Sequence, residues 1–158
     1  MSGRLFASYL ILVLTAAVLT YAALTDLRHY RIRNDLIFAI GGLYLLHAVA
    51  SGRWVEMHWN IGFALLMLGA MLPFYAKHWM GGGDVKILAV AFLWTGLSCA
   101  LPFAILLAIF SGLHAGAARL GWIKADPDHG TPQRIAFAPS VAGALIGIFM
   151  LGCVEAVG

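Results

Sequence analysis

Apolar stretches of nearly constant length, separated by short clusters of charge, constrain this chain more than any other feature. Crossing about 30 Å of hydrocarbon takes roughly 20 helical residues, and residues 5–24 form such a run without a single charge. Of the 158 residues, 62% are hydrophobic and 11% charged, whereas a soluble domain is usually about a quarter charged. With a mean hydropathy of +0.90, a soluble globular domain is excluded. The expectation is an all-α membrane protein, one domain over residues 1–158, in contact with the lipid bilayer.

Six membrane helices are predicted: Leu5 to Thr25, Leu36 to Ala50, Ile61 to Ala76, Val85 to Leu97, Ala100 to Ala118, and Ile135 to Val157. Val85 to Ala118 is too long for one ordinary span, so a turn is placed at Thr95-Gly96-Leu97-Ser98. The first run follows Arg4 and ends near Tyr21-Ala22-Ala23, faintly like a cleavable leader. Its length, with Arg28, Arg31 and Arg33 behind it, fits a retained helix better.

Lysine and arginine concentrate in cytoplasmic loops. With the amino terminus outside, the inner loops hold Arg28, Arg31, Arg33, Lys77, Lys86, Arg119, Lys124 and Arg134, and only Arg4 and Arg53 lie outside. Both termini are then external, odd helices run inward and even helices run outward. The basic residues are spread over loops rather than gathered on one face, so the net charge of +3 is read as topology and not as a nucleic-acid site.

Carboxylates beside membrane spans are costly unless paired, hydrated or protonated. Asp26 ends the first predicted helix and Asp84 opens the fourth. By the parity above, both lie at the cytoplasmic boundary. Two carboxylates brought close together cannot both ionise cheaply and hold one proton between them. Such a pair suits peptide hydrolysis, since the ionised member activates water while the protonated member hydrogen-bonds the scissile carbonyl. Gly81-Gly82-Gly83 before Asp84 can take backbone angles closed to other residues and leaves room for an extended substrate. On spacing alone, a flexible loop with Asp84 as a helix cap explains the same residues equally well.

Gly81-Gly82-Gly83-Asp84-Val85-Lys86-Ile87-Leu88 resembles the GxGD-containing signature of the type IV prepilin peptidases. Thr25 to Asn34 resembles that family's other aspartate motif, in which an Ile-Pro-Asn follows the aspartate, and Phe137 to Gly143 resembles the opening of its last helix. The resemblance implies a membrane aspartic endopeptidase with Asp26 and Asp84 as catalytic pair, supported by Gly81, Gly82, Gly83, Lys86 and Asn34. It implies no metal or cofactor, an inner-membrane location with the site facing the cytoplasm, and prepilins and pseudopilins as substrates. Arg33 stands where the family usually has proline, and Ala138 where glycine commonly precedes Pro139. The first loop is too short for the insertion with paired CxxC motifs found in methylating members, so the chain resembles the peptidase-only enzymes of tight-adherence (Flp-type) pili.

Other residues receive plainer readings. Cys99 and Cys153 are read as small core residues, and His114 as a packed histidine bonded across helices. Gly112 with Gly116, and Gly143 with Gly147, have helix-packing spacing. Asp35 is placed as a cap of the second helix, Lys86 as an interfacial anchor, and Trp54, Trp59, Trp79 and Trp122 at the membrane interface. A proton-coupled carrier or a non-catalytic assembly subunit would also explain acidic residues beside spans, and neither explains their sharing a boundary with a glycine run. The sequence leaves the oligomeric state open.

Overall fold

The computed structural model describes residues 2–29, 32–120 and 136–156. Among these the chain is all-helical: α1 Ser2–His29, α2 Asn34–Ser51, α3 Trp54–Ala76, α4 Gly82–Thr95, α5 Ala100–Arg119, α6 Ala138–Met150 and a single turn, α7, Cys153–Ala156. Four of them, α1, α2, α3 and α5, are long and apolar enough to cross a membrane. Of the remaining three, α7 is a single turn, and α4 and α6 have 14 and 13 residues, or about 20 Å each at 1.5 Å per residue.

The short helices sit where shortness is tolerated. Packing runs α1 to α2, α2 to α4, α4 to α6 and α6 back to α1, a ring in which α1 and α4 stand diagonally; α3 leans on α4 from outside and α5 on α6. Protein rather than lipid therefore surrounds much of α4 and α6. Ile87, Leu88, Ala91 and Trp94 of α4 meet Val141, Leu145 and Ile148 of α6 in the core, with Leu19 of α1 and Ile40 and Tyr44 of α2. Trp94 stands edge-on to Tyr44 and to Phe149, and its indole N–H donates to the Ile40 carbonyl at 3.2 Å. Outward faces carry Phe6 and Val13 of α1, Leu65 and Leu66 of α3, and Leu101 and Leu113 of α5, all exposed as lipid-facing side chains are.

Several boundaries differ from the sequence reading. α3 begins at Trp54 rather than Ile61, because Trp54 to Asn60 is polar in hydropathy yet continues the helix through the interfacial layer. α1 runs on to His29, so Asp26 lies inside its last turn rather than after it. The turn at residues 95–98 is present, with Gly96 at φ +57°. α6 stops at Met150 and α7 follows Gly152, which takes φ +65°, and residue 135 lies outside the described residues.

Gly143 and Gly147 do mediate packing: a Cβ on either would stand 3.4 Å from the Phe110 ring or 3.0 Å from Leu106 Cδ1 on α5. Gly112 and Gly116 do not, since nothing lies within 4 Å of a Cβ built there. Cys99 and Cys153 are not simply small core residues; they form a disulfide with Cα atoms 6.2 Å apart. Trp54, Trp59 and Trp79 are exposed near helix ends, as interfacial indoles are, and Trp122 lies outside the described residues.

Candidate active site

One end of the ring gathers the polar residues singled out from the sequence. The chain leaves α1 there, α2 begins there, and α4 and α6 both start there, so Asp26, Asn34, Asp84, Lys86 and Ala138 all lie at this end. Direct contacts tie the four helices together. Lys86 Nζ donates to Asn34 Oδ1 at 3.0 Å, linking α4 to α2, and Ile32 packs against Gly83.

Asp26 is buried, 4% exposed, although it lies within one turn of the end of α1. Its Oδ2 accepts the Ala138 N–H at 3.0 Å. A helix N-terminus leaves unsatisfied N–H groups that suit an anion, and Pro139 in the first turn of α6 is well placed for that start. Ala138 is fully buried, so the residue at the family's usual glycine position seals this contact while its backbone still serves Asp26.

Asp84 is not the cap of α4. Gly81 occupies that position, in extended conformation at φ −70° and ψ 145°, and its carbonyl accepts the N–H groups of Asp84 and Val85. Asp84 is the third helical residue, in the first turn, where a carboxylate interacts favourably with the helix dipole. The backbone freedom expected of the glycines is not used, because none of the three has positive φ. Gly81 and Gly82 instead allow a close approach, and Gly83 an ordinary contact. A Cβ on Gly81 would lie 2.9 Å from Asp84 Oδ2, one on Gly82 3.2 Å from the Tyr75 ring, and one on Gly83 3.4 Å from Ile32.

Arg33 precedes α2 at φ −72° and ψ 133°, a conformation that proline itself would take, so the departure from the family pattern leaves the loop shape intact. Its guanidinium pairs with Asp35 at 2.8 Å in solvent. Asp35 is thus an exposed partner of Arg33 and not the cap of α2. His114 departs from expectation too. Its Nε2 is buried with no hydrogen-bond partner among the described residues.

The backbone amide of Ala138 was the group the sequence did not show. Parity and Pro139 together could have located the start of α6 beside Asp26. Among the described residues no three His, Cys, Asp or Glu side chains gather as a metal site. A cavity of about 720 Å³ lies at the opposite end of the bundle, lined among others by Tyr44, Arg53, Glu56, Asn60 and Trp94.

The type IV leader peptidase family model matches residues 13–117, which run from α1 into α5 and include both aspartates. The chain belongs to that family. Membership makes it a protease of the prepilin peptidase kind, with prepilin-type substrates, and agrees with its apolar helices in making it a membrane protein. No curated protein and no solved structure gives a significant match.

Proposed function

We propose that this leader peptidase is an aspartic endopeptidase that removes the basic leader of small Flp-like prepilins and pseudopilins at the cytoplasmic boundary of the inner membrane. Asp26 and Asp84 are the catalytic pair, residues 1–158 act as a single peptidase domain, and Gly81, Gly82, Gly83, Lys86 and Asn34 shape the loop and helix starts around the pair. The observation that carries this reading is the convergence of two helix N-termini, α4 bearing Asp84 in its first turn and α6 holding Asp26 through the Ala138 N–H, at one end of the bundle.

The chemistry follows from what these groups can do. With one proton held between them, the ionised aspartate takes a proton from the attacking water, and the protonated one hydrogen-bonds the scissile carbonyl oxygen and then delivers its proton to the departing amine. The Ala138 N–H fixes one oxygen of Asp26, leaving the other to work. Gly81 is exposed and lacks a side chain, so a substrate backbone can approach Asp84. Arg28, Arg33, Lys77, Lys86 and Arg119 border this end, against Arg4 and Arg53 at the other, which supports a cytoplasmic face.

Coexpression with a prepilin tests the proposal. Asp26→Asn and Asp84→Asn should each leave the precursor uncut while the protein accumulates in the membrane at wild-type level. Normal processing by either variant sinks the catalytic assignment and favours a carrier or an assembly role.

A further inference from the structure

The disulfide lies at the end of the bundle away from the aspartates. Cys99 sits just before α5 in the turn that follows α4, and Cys153 opens α7 just after α6. The bond therefore joins the far ends of the two helices whose near ends hold Asp84 and the amide of Ala138. From Asp84 to Thr95 α4 spans about 17 Å, and from Ala138 to Met150 α6 spans about 18 Å, at 1.5 Å per residue. Two stiff rods of nearly equal length are thus linked at one end and carry the acidic groups at the other.

Along their length α4 and α6 meet through Ile87, Leu88, Ala91 and Trp94 against Val141, Leu145 and Ile148, and the disulfide adds a covalent tie beyond the end of that contact. A second tie reinforces the first, since the Arg53 guanidinium, from the turn between α2 and α3, donates to the Val154 carbonyl beside Cys153.

The location also has a redox meaning. Thiols facing the cytoplasm are kept reduced, whereas disulfides persist in oxidising compartments. We infer that Cys99 and Cys153 are oxidised by a thiol–disulfide donor protein on the far, non-cytoplasmic side of the membrane, and that the bond locks α4 and α6 in the register that sets Asp84 level with Asp26. In the step, one cysteine thiolate attacks the donor's disulfide to give a mixed disulfide, and the second thiolate displaces the donor. The two cysteines lose two protons and two electrons, and the donor leaves as a dithiol. The oxidation and its side stand on the pairing alone; the register claim rests on the peptidase reading.

Thiol counting and kinetics test the two parts separately. In native membranes, denatured protein should take up no maleimide–polyethylene glycol without reduction and two after it, and a membrane-impermeant reductant should open the bond from the external face. Free thiols in native membranes overturn the pairing, and reduction only from the cytoplasmic face overturns the side. For purified protein acting on a prepilin, reduction should lower kcat about tenfold or more with KM unchanged, because sub-ångström to 1 Å misplacements carry such costs. Reoxidation of the same sample should restore kcat, which unfolded protein would not do, and the packing-preserving pair Cys99→Val with Cys153→Ala should resemble the reduced enzyme. An unchanged kcat overturns the register claim. If oxidised protein cuts no prepilin at all, the peptidase reading and the register claim fall together, while the thiol count still stands.

Discussion

Replacing Gly81 with alanine puts the account of the glycine run at risk most sharply. The new Cβ would stand 2.9 Å from Asp84 Oδ2 and 3.6 Å from its Cγ. Reaching an ordinary contact of about 3.5 Å needs a shift of roughly 0.6 Å, and the atom in the way belongs to a side chain that can turn. Moving the carboxylate off its rotamer costs about 0.5–1.5 kcal/mol, which the fold tolerates, so the protein should accumulate normally. Catalysis is less forgiving, because a productive constellation must be held to about 0.5 Å. Cleavage of a prepilin should fall about ten- to a hundredfold. Gly82→Ala presses on the Tyr75 ring at 3.2 Å and should cost less, and Gly83→Ala meets Ile32 at 3.4 Å, an ordinary contact. Because alanine also favours the helix by up to about 1 kcal/mol, Gly83→Ala should be nearly neutral, even though the GxGD signature would single out Gly81 and Gly83. Quantified precursor-to-product ratios against membrane abundance give the ranking. Equal loss at Gly81 and Gly83, or full activity of Gly81→Ala, would refute the contact argument.

Further outcomes follow from single contacts. Arg33→Pro should leave abundance unchanged, since φ −72° suits proline and the exposed pair with Asp35 is worth about 0–1 kcal/mol; a large loss on immunoblots would show that the loop needs arginine. Trp94→Phe removes the buried bond to the Ile40 carbonyl and should destabilise the detergent-solubilised protein by about 1–3 kcal/mol, read as a lower melting temperature. Gly147→Val should drive α5 from α6 at Leu106 and reduce folded yield on size exclusion, whereas Gly116→Ala, with open space at its Cβ, should not.

The sequence disclosed the long helices because hydropathy reports them directly, and it disclosed the shared boundary of Asp26 and Asp84 because parity needs only a count of spans. It also marked the α4–α5 turn, where Gly96 takes φ +57° and ψ −167°, angles open to glycine and rare for other residues. The start of α3 was hidden because Trp54, Glu56, His58 and Asn60 look like a loop to a hydropathy scale while suiting an interfacial helix turn. Cys99 and Cys153 are 54 residues apart, and no local spacing reveals that two helix ends bring them together. The partner of Asp26 was hidden for another reason: the donor is the backbone of Ala138, which no side chain advertises. Gly81, Gly82 and Gly83 were marked for conformational freedom and for their missing side chains; the backbone does not use the first, and the close contacts at Gly81 and Gly82 depend on the second.

Kinetics of purified protein on a prepilin test the central claim most directly, comparing wild type, Asp26→Asn, Asp84→Asn and the double variant. Groups that act as one catalytic unit are strongly non-additive. The account predicts that either single change lowers kcat/KM about as far as both together. Substantial activity in one single variant, with a further drop in the double, would contradict it.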